Sequence, residues 1–252
     1  MSFQFLYDEV FKLNLNKCFL LAFVFLFSFV SAQTLAKENP SEFLYIDEAL
    51  FDLDRTIPPP PSPGTMEYKH ELAFMKVRIA KLNDTQKVLA VSDATNESAT
   101  FFSDILPGFD LNKLPKTKSL FDKVKYNAGY ESKLFKNHFM SKRPYQVDPD
   151  IHACVPSKPS NLDRSYPSGH TTMGYAMGIV LANLIPEKSK EIMERSRLYG
   201  ENRVNCGAHF PSDVTGGQVL GTLVAKELIR NQDFKLLMNE ARDELAQLGL
   251  SQ

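Results

Sequence analysis

From Thr65 to the C-terminus the apolar residues recur at helical spacing, and nowhere do β-branched residues alternate over a run long enough for a strand. Thr65 can cap a helix through about Leu82, with Leu72, Met75, Ile79 and Leu82 on one face. Asp84 to Asp104 reads as a second helix, and Pro107-Gly108 breaks the chain. Leu120 to Lys142 carries one or two more around Gly129. His170 to Ile185 reads as an apolar helix and Glu187 to about Asn205 as an amphipathic one. Ser212 caps a helix to about Asn231, and Asp233 to Leu248 is the last. No internal repeat is visible. The expectation is an all-α, single-domain helical bundle over residues 65–252.

The first 32 residues differ in kind. Lys12 and Lys17 precede Cys18 to Val30, thirteen residues with one serine as the only polar side chain, and small residues follow at Ser31 and Ala32. A basic region, a short apolar core and a small-residue cleavage site make 1–32 a secretory signal peptide. An uncleaved anchor would need the uncharged stretch to Ala36, whose last part is polar. No later segment reaches the roughly 20 apolar residues of a membrane span. Residues 33–64 form an N-terminal arm that contains Pro58 to Pro61, four prolines that fit neither a helix nor a central strand. A periplasmic or secreted protein without membrane contact after cleavage is expected.

Export gives the cysteines a meaning. Cys154 and Cys206 remain after cleavage, an even count for an oxidising compartment. A disulfide between them would close a loop worth about 4 kcal/mol in the chain-entropy model. In a reducing compartment they would instead be two buried thiols. The formal net charge is -1, so the chain lacks the basic field of a nucleic-acid binder.

Three clusters carry chemistry. Lys136 and Arg143 are seven residues apart, two helical turns, before Pro144. On one helix face two such cations can converge on an anion. Tyr166-Pro167-Ser168-Gly169-His170 opens the most apolar helix, where free backbone N–H groups and the positive dipole end suit an anion. His209 sits between two helices, four residues before Asp213, whose carboxylate can fix the imidazole tautomer and leave the other nitrogen free to attack or bind metal. Each cluster alone has an ordinary alternative: a solvated basic face, a plain helix cap, a packed loop histidine.

Together they resemble the signature of the type 2 phosphatidic-acid-phosphatase superfamily, which includes the vanadium haloperoxidases. The pattern K-x6-R-P, P-S-G-H, S-R-x5-H-x3-D reads here Lys136-x6-Arg143-Pro144, Pro167-Ser168-Gly169-His170 and Asn202-Arg203-x5-His209-x3-Asp213. Ten of eleven fixed positions match, which at roughly one in twenty per position is not chance. The wording around the motifs, the export signal and the proline stretch resemble bacterial class A nonspecific acid phosphatases. Asn202 stands where that family has Ser.

The resemblance implies a helical bundle of the acid phosphatase/vanadium haloperoxidase type that hydrolyses small phosphomonoesters through a phosphohistidine. His209 would be the nucleophile, Asp213 its orienting group and His170 the general acid and base. Lys136, Arg143, Ser168, Gly169 and Arg203 would bind phosphate. No metal or other cofactor is implied, an acid optimum is, and homo-oligomers are common in the family. His70, His138 and His152 are read as structural or exposed. Three rivals share the motif: a vanadate-dependent haloperoxidase, a membrane lipid phosphatase, and a catalytically weakened phosphate-binding member.

Overall fold

Where each helix starts and stops is decided by local hydrogen bonding. The protein is represented by a computed structural model that describes residues 44–47, 50–156, 158–159 and 162–251. The expected signal peptide at 1–32 and the beginning of the expected arm lie outside the described residues. Helix α1 is Met66–Ala80, and the Thr65 hydroxyl accepts from the Tyr68 N–H as its cap. Helix α2, Asp84–Thr95, opens on a reciprocal capping box between Asn83 and Gln86.

The expectation of one helix to Asp104 fails at Asn96. Its side-chain carbonyl accepts from the Ser98 N–H, the Ser98 hydroxyl and the Thr100 hydroxyl, each at 3.1 Å. This local bonding competes with helix continuation, and the chain resumes as a 3-10 turn at Ala99–Phe102. Helix α3, Pro115–Phe139, starts earlier than expected because proline is tolerated in a first turn. It passes Gly129 unbroken and ends at Met140, which takes a left-handed φ of 50°.

Helices α4 (Gly169–Leu184), α5 (Ser189–Asn205), α6 (Pro211–Arg230) and α7 (Gln232–Gln247) complete the bundle. Ser212 is not the cap of α6. Proline starts that helix, the Asp213 carboxylate takes the Phe210 N–H, and Ser212 donates its N–H and hydroxyl to Glu71 at 2.6 and 2.8 Å. No strand occurs among the described residues, so the all-α expectation holds.

A helix that is apolar all round belongs inside, and α4 packs against α5, α6 and α3. Ala176, Met177, Val180, Leu181 and Leu184 of α4 are buried with Phe121 and Phe135 of α3 and Phe234 and Leu245 of α7. A second cluster gathers Met75, Val204, Phe210 and Val214, with Leu72 and Ile79 of the predicted α1 face against it. The described part of the arm packs on the same body. Ile46 and Ile57 are buried in the main core, and the Pro58 carbonyl accepts from the Tyr166 hydroxyl. Among the described residues no helix is long and apolar enough to cross a membrane.

Candidate active site

The start of α4, the end of α5 and the start of α6 meet because short-range ties hold them. The disulfide Cys154–Cys206 fastens the end of α5, and the Cys154 N–H donates to the Cys206 carbonyl at 2.8 Å. Gly207 follows with φ +66°, a conformation that favours glycine, and a Cβ there would lie 2.6 Å from the His152 carbonyl oxygen. This turn drops His209 between α5 and α6. The Ser168 N–H donates to the Asp213 carbonyl at 2.9 Å, joining the α4 cap to α6.

A pocket of about 340 Å³ is lined by Lys136, Arg143, Gly169, His170, Arg203 and His209, six of the eight predicted site side chains and backbones. Asp213 lies directly behind His209. Its Oδ2 is 3.1 Å from His209 Nδ1, and it also accepts from the Ser165 hydroxyl at 2.5 Å and the Phe210 N–H at 2.9 Å. Burial pushes the Asp213 carboxyl up to about 6 while those hydrogen bonds pull it down. Its Oδ2 is placed to accept the Nδ1 proton of His209. That leaves the lone pair on His209 Nε2, which is 3.0 Å from Arg143 NH1. His209 is 2% exposed. Burial first, then the charge of Arg143, holds its proton affinity well below the ordinary histidine value.

His170 is held differently. Its Nε2 is 3.2 Å from the Ala94 carbonyl oxygen and 3.8 Å from Glu97 Oε1. Burial and then Arg203 lower its proton affinity, while the Ala94 hydrogen bond opposes them.

The cations are pinned by backbone. Lys136 Nζ donates to the Arg164 and Ser165 carbonyls at 2.7 and 3.0 Å, and Arg143 NH1 donates to the Ala208 carbonyl at 2.9 Å. Burial, then the neighbouring Arg143, pushes the Lys136 ammonium well below its usual range. Lys136 and Arg143 do converge, but not by sharing a helix face. α3 ends at Phe139, and the reversed chain brings Arg143 back to the Arg164 carbonyl, 3.4 Å from NH2. Arg203 is 5% exposed and lowered to about 10, chiefly by burial. Its Nε and NH1 have no hydrogen-bond partner among the described residues. A buried cation left so costs several kcal/mol unless an anion sits against it.

The Ser168 hydroxyl is fully buried and bonds Thr171 Oγ1 at 2.9 Å, so it serves as the cap of α4. Asn202 faces away from the pocket. Its Nδ2 donates to Asp93 Oδ2 at 2.7 Å, and Asp93 is gripped by Arg195 at 3.0 and 2.6 Å. Gly169 does line the pocket, where an added Cβ would lie 3.3 Å from Ser132 Oγ and 3.6 Å from Lys136 Cε. Sequence reasoning missed Ser165, Arg164 and Asp93. Ser165 and Arg164 stand just before the Tyr166-Pro167-Ser168 motif, and that adjacency was the available signal. Among the described residues no group of three or more His, Cys, Asp or Glu is placed to hold a metal.

A family model described as the PAP2 superfamily matches residues 126–236. An acid phosphatase of Zymomonas mobilis is 32% identical over 222 residues, covering 86% of this chain and 82% of its own length. A non-specific acid phosphatase of Salmonella typhimurium is 30% identical over 75% of this chain and 78% of its own length. One of Providencia stuartii is 28% identical over 76% and 80%.

Proposed function

The chain belongs to the PAP2 superfamily as an enzyme of the acid phosphatase type, and from that premise we propose that it is an exported phosphomonoesterase working through a phosphohistidine on His209 without metal. The observation that carries this reading is the buried Arg203 guanidinium, with two nitrogens unpartnered, on the wall of the pocket that also holds His209. Lys136, Arg143 and Arg203 hold the phosphoryl oxygens, with Gly169 at the helix start completing the cradle. Ser168 fixes that helix start.

His209 Nε2 attacks phosphorus as the bond to the alcohol oxygen breaks. Asp213 holds the Nδ1 proton and stabilises the charge that develops on the ring. His170 gives a proton to the leaving alkoxide. It then takes one from water, whose oxygen attacks phosphorus and breaks the P–N bond, releasing phosphate. Burial first, then the nearby cations, depress His170, and the phosphoryl charge offsets the cations, so the ring gains proton affinity with substrate in place. This favours acid pH.

Export is supported by the leader pattern of 1–32 and by the Cys154–Cys206 bridge. Asn202 gave the catalytically weakened reading its weight, and it does not line the pocket. The test is p-nitrophenyl phosphate hydrolysis below neutral pH after dialysis against EDTA. Retained activity is expected. Loss restored by a divalent ion would overturn the metal-free reading, and no hydrolysis at all would overturn the function.

A further inference from the structure

The pocket has more positive charge and more room than a phosphoryl group uses. At about 30 Å³ per water, its 340 Å³ is on the order of eleven waters. Five cations line it, Lys125, Lys136, Arg143, Arg164 and Arg203, against one carboxylate, Glu97. Glu97, Asp213 and a phosphoryl dianion together still leave positive charge over, the more so once His170 carries its proton.

Arg164 is the cation without an assignment. Lys125 is paired with Glu97 at 3.5 Å, and Lys136, Arg143 and Arg203 surround His209. The Arg164 guanidinium is half-buried and has no hydrogen bond or ion pair among the described residues. Its backbone carbonyl, in contrast, is fully used, accepting from Lys136 Nζ at 2.7 Å and Arg143 NH2 at 3.4 Å. Its charge is also among those that depress the Lys136 ammonium, so it acts on the cradle from close by.

We propose that Arg164 forms a second anion subsite beside the phosphoryl cradle and selects phosphomonoesters whose alcohol portion carries a carboxylate. The proposal rests on the phosphatase reading above and names its preferred substrate class. A guanidinium presents a planar fork that matches a carboxylate through two parallel hydrogen bonds. Val155, Pro156 and Met173 line the same pocket and offer apolar surface to the carbon skeleton between the two anions. The carboxylate would offset part of the remaining charge, and the backbone grip on Lys136 and Arg143 would be untouched by a change in the Arg164 side chain.

The experiment compares 3-phosphoglycerate with glycerol 3-phosphate, which differ in a carboxylate against a hydroxymethyl group on the same skeleton. A half-exposed pair of this kind contributes up to about 1 kcal/mol, so kcat/KM should favour 3-phosphoglycerate about fivefold at low salt. The preference should shrink as ionic strength rises. Arg164→Ala should bring the ratio to about one, and Arg164→Lys should keep part of it by retaining charge without the fork. Hydrolysis of both esters with no preference in the unaltered protein would overturn the subsite and leave the phosphatase reading standing. A preference that survives in Arg164→Ala would also overturn it. Failure to hydrolyse either ester or p-nitrophenyl phosphate would overturn both.

Discussion

His209 and His170 line the same pocket, yet one is locked and the other is poised. His209 is clamped on both nitrogens, by Asp213 and by Arg143, inside a turn fixed by a disulfide and by Gly207. His170 has one hydrogen bond to a backbone carbonyl and a more distant, largely exposed carboxylate, Glu97. A nucleophile gains from a fixed tautomer and a fixed direction, because misplacement of the attacking atom is expensive. A group that gives and then takes a proton gains from an environment that changes with the charge beside it. The contrast supports the proposed division of roles on physical grounds that the motif alone does not supply.

The largest break of that contrast is at His170. His170→Ala should lower turnover of alkyl phosphates about 10²- to 10⁴-fold. The loss should be smaller on p-nitrophenyl phosphate, whose leaving group needs less protonation. Equal losses on both esters, measured as kcat, would remove His170 from the acid role.

The clamped side can be loosened without touching its chemistry. Reducing the Cys154–Cys206 bridge should cost about 2 to 5 kcal/mol in denaturant unfolding, while kcat of the still-folded protein changes little. A large fall in kcat at unchanged stability would place the bridge in the chemistry. A smaller effect is expected at Asn202. Asn202→Ser leaves an Asp93 oxygen with fewer donors and should cost about 1 to 2 kcal/mol. It should not raise activity, because the side chain faces Asp93 and not the pocket. A marked gain in kcat would contradict that placement.

Acid should weaken both histidine environments by a modest amount. Each is depressed below the ordinary value in the folded state, so the unfolded chain binds protons that the native state refuses. Stability present above about pH 6.5 is then lost as pH falls through it, at most about 1.4 kcal/mol per unit for each proton. Asp213, raised to about 6, takes a proton earlier when folded and offsets part of this loss below that pH. Unfolding free energies at pH 7.5 and 5.5 should show the fall, and added phosphate should reduce it. A rise in stability over that interval would contradict the burial argument.

Much of the fold was readable because the helices are long and their periodicity is strong. The errors came where short polar contacts decide. Asn96 stops α2 through side-chain bonds that periodicity does not report, and Gly129 sits in a helix held by packing, where its propensity cost is absorbed. The residues that gather around the pocket were legible as a pattern, but how they meet was not. Spacing suggested one helix face for Lys136 and Arg143, whereas a chain reversal at Met140 and the Arg164 carbonyl bring them together. The Asp93–Arg195 pair spans 102 residues and leaves no local trace in the sequence.

The central claim is that a covalent phosphoryl bond forms on His209. Rapid quenching in alkali, where phosphohistidine survives, after mixing the protein with labelled substrate, tests it most directly. The label should map to His209, should accumulate in His170→Ala if water attack slows, and should be absent from His209→Ala, which should also lose turnover. Label on His170, or label retained in His209→Ala, would contradict the assignment.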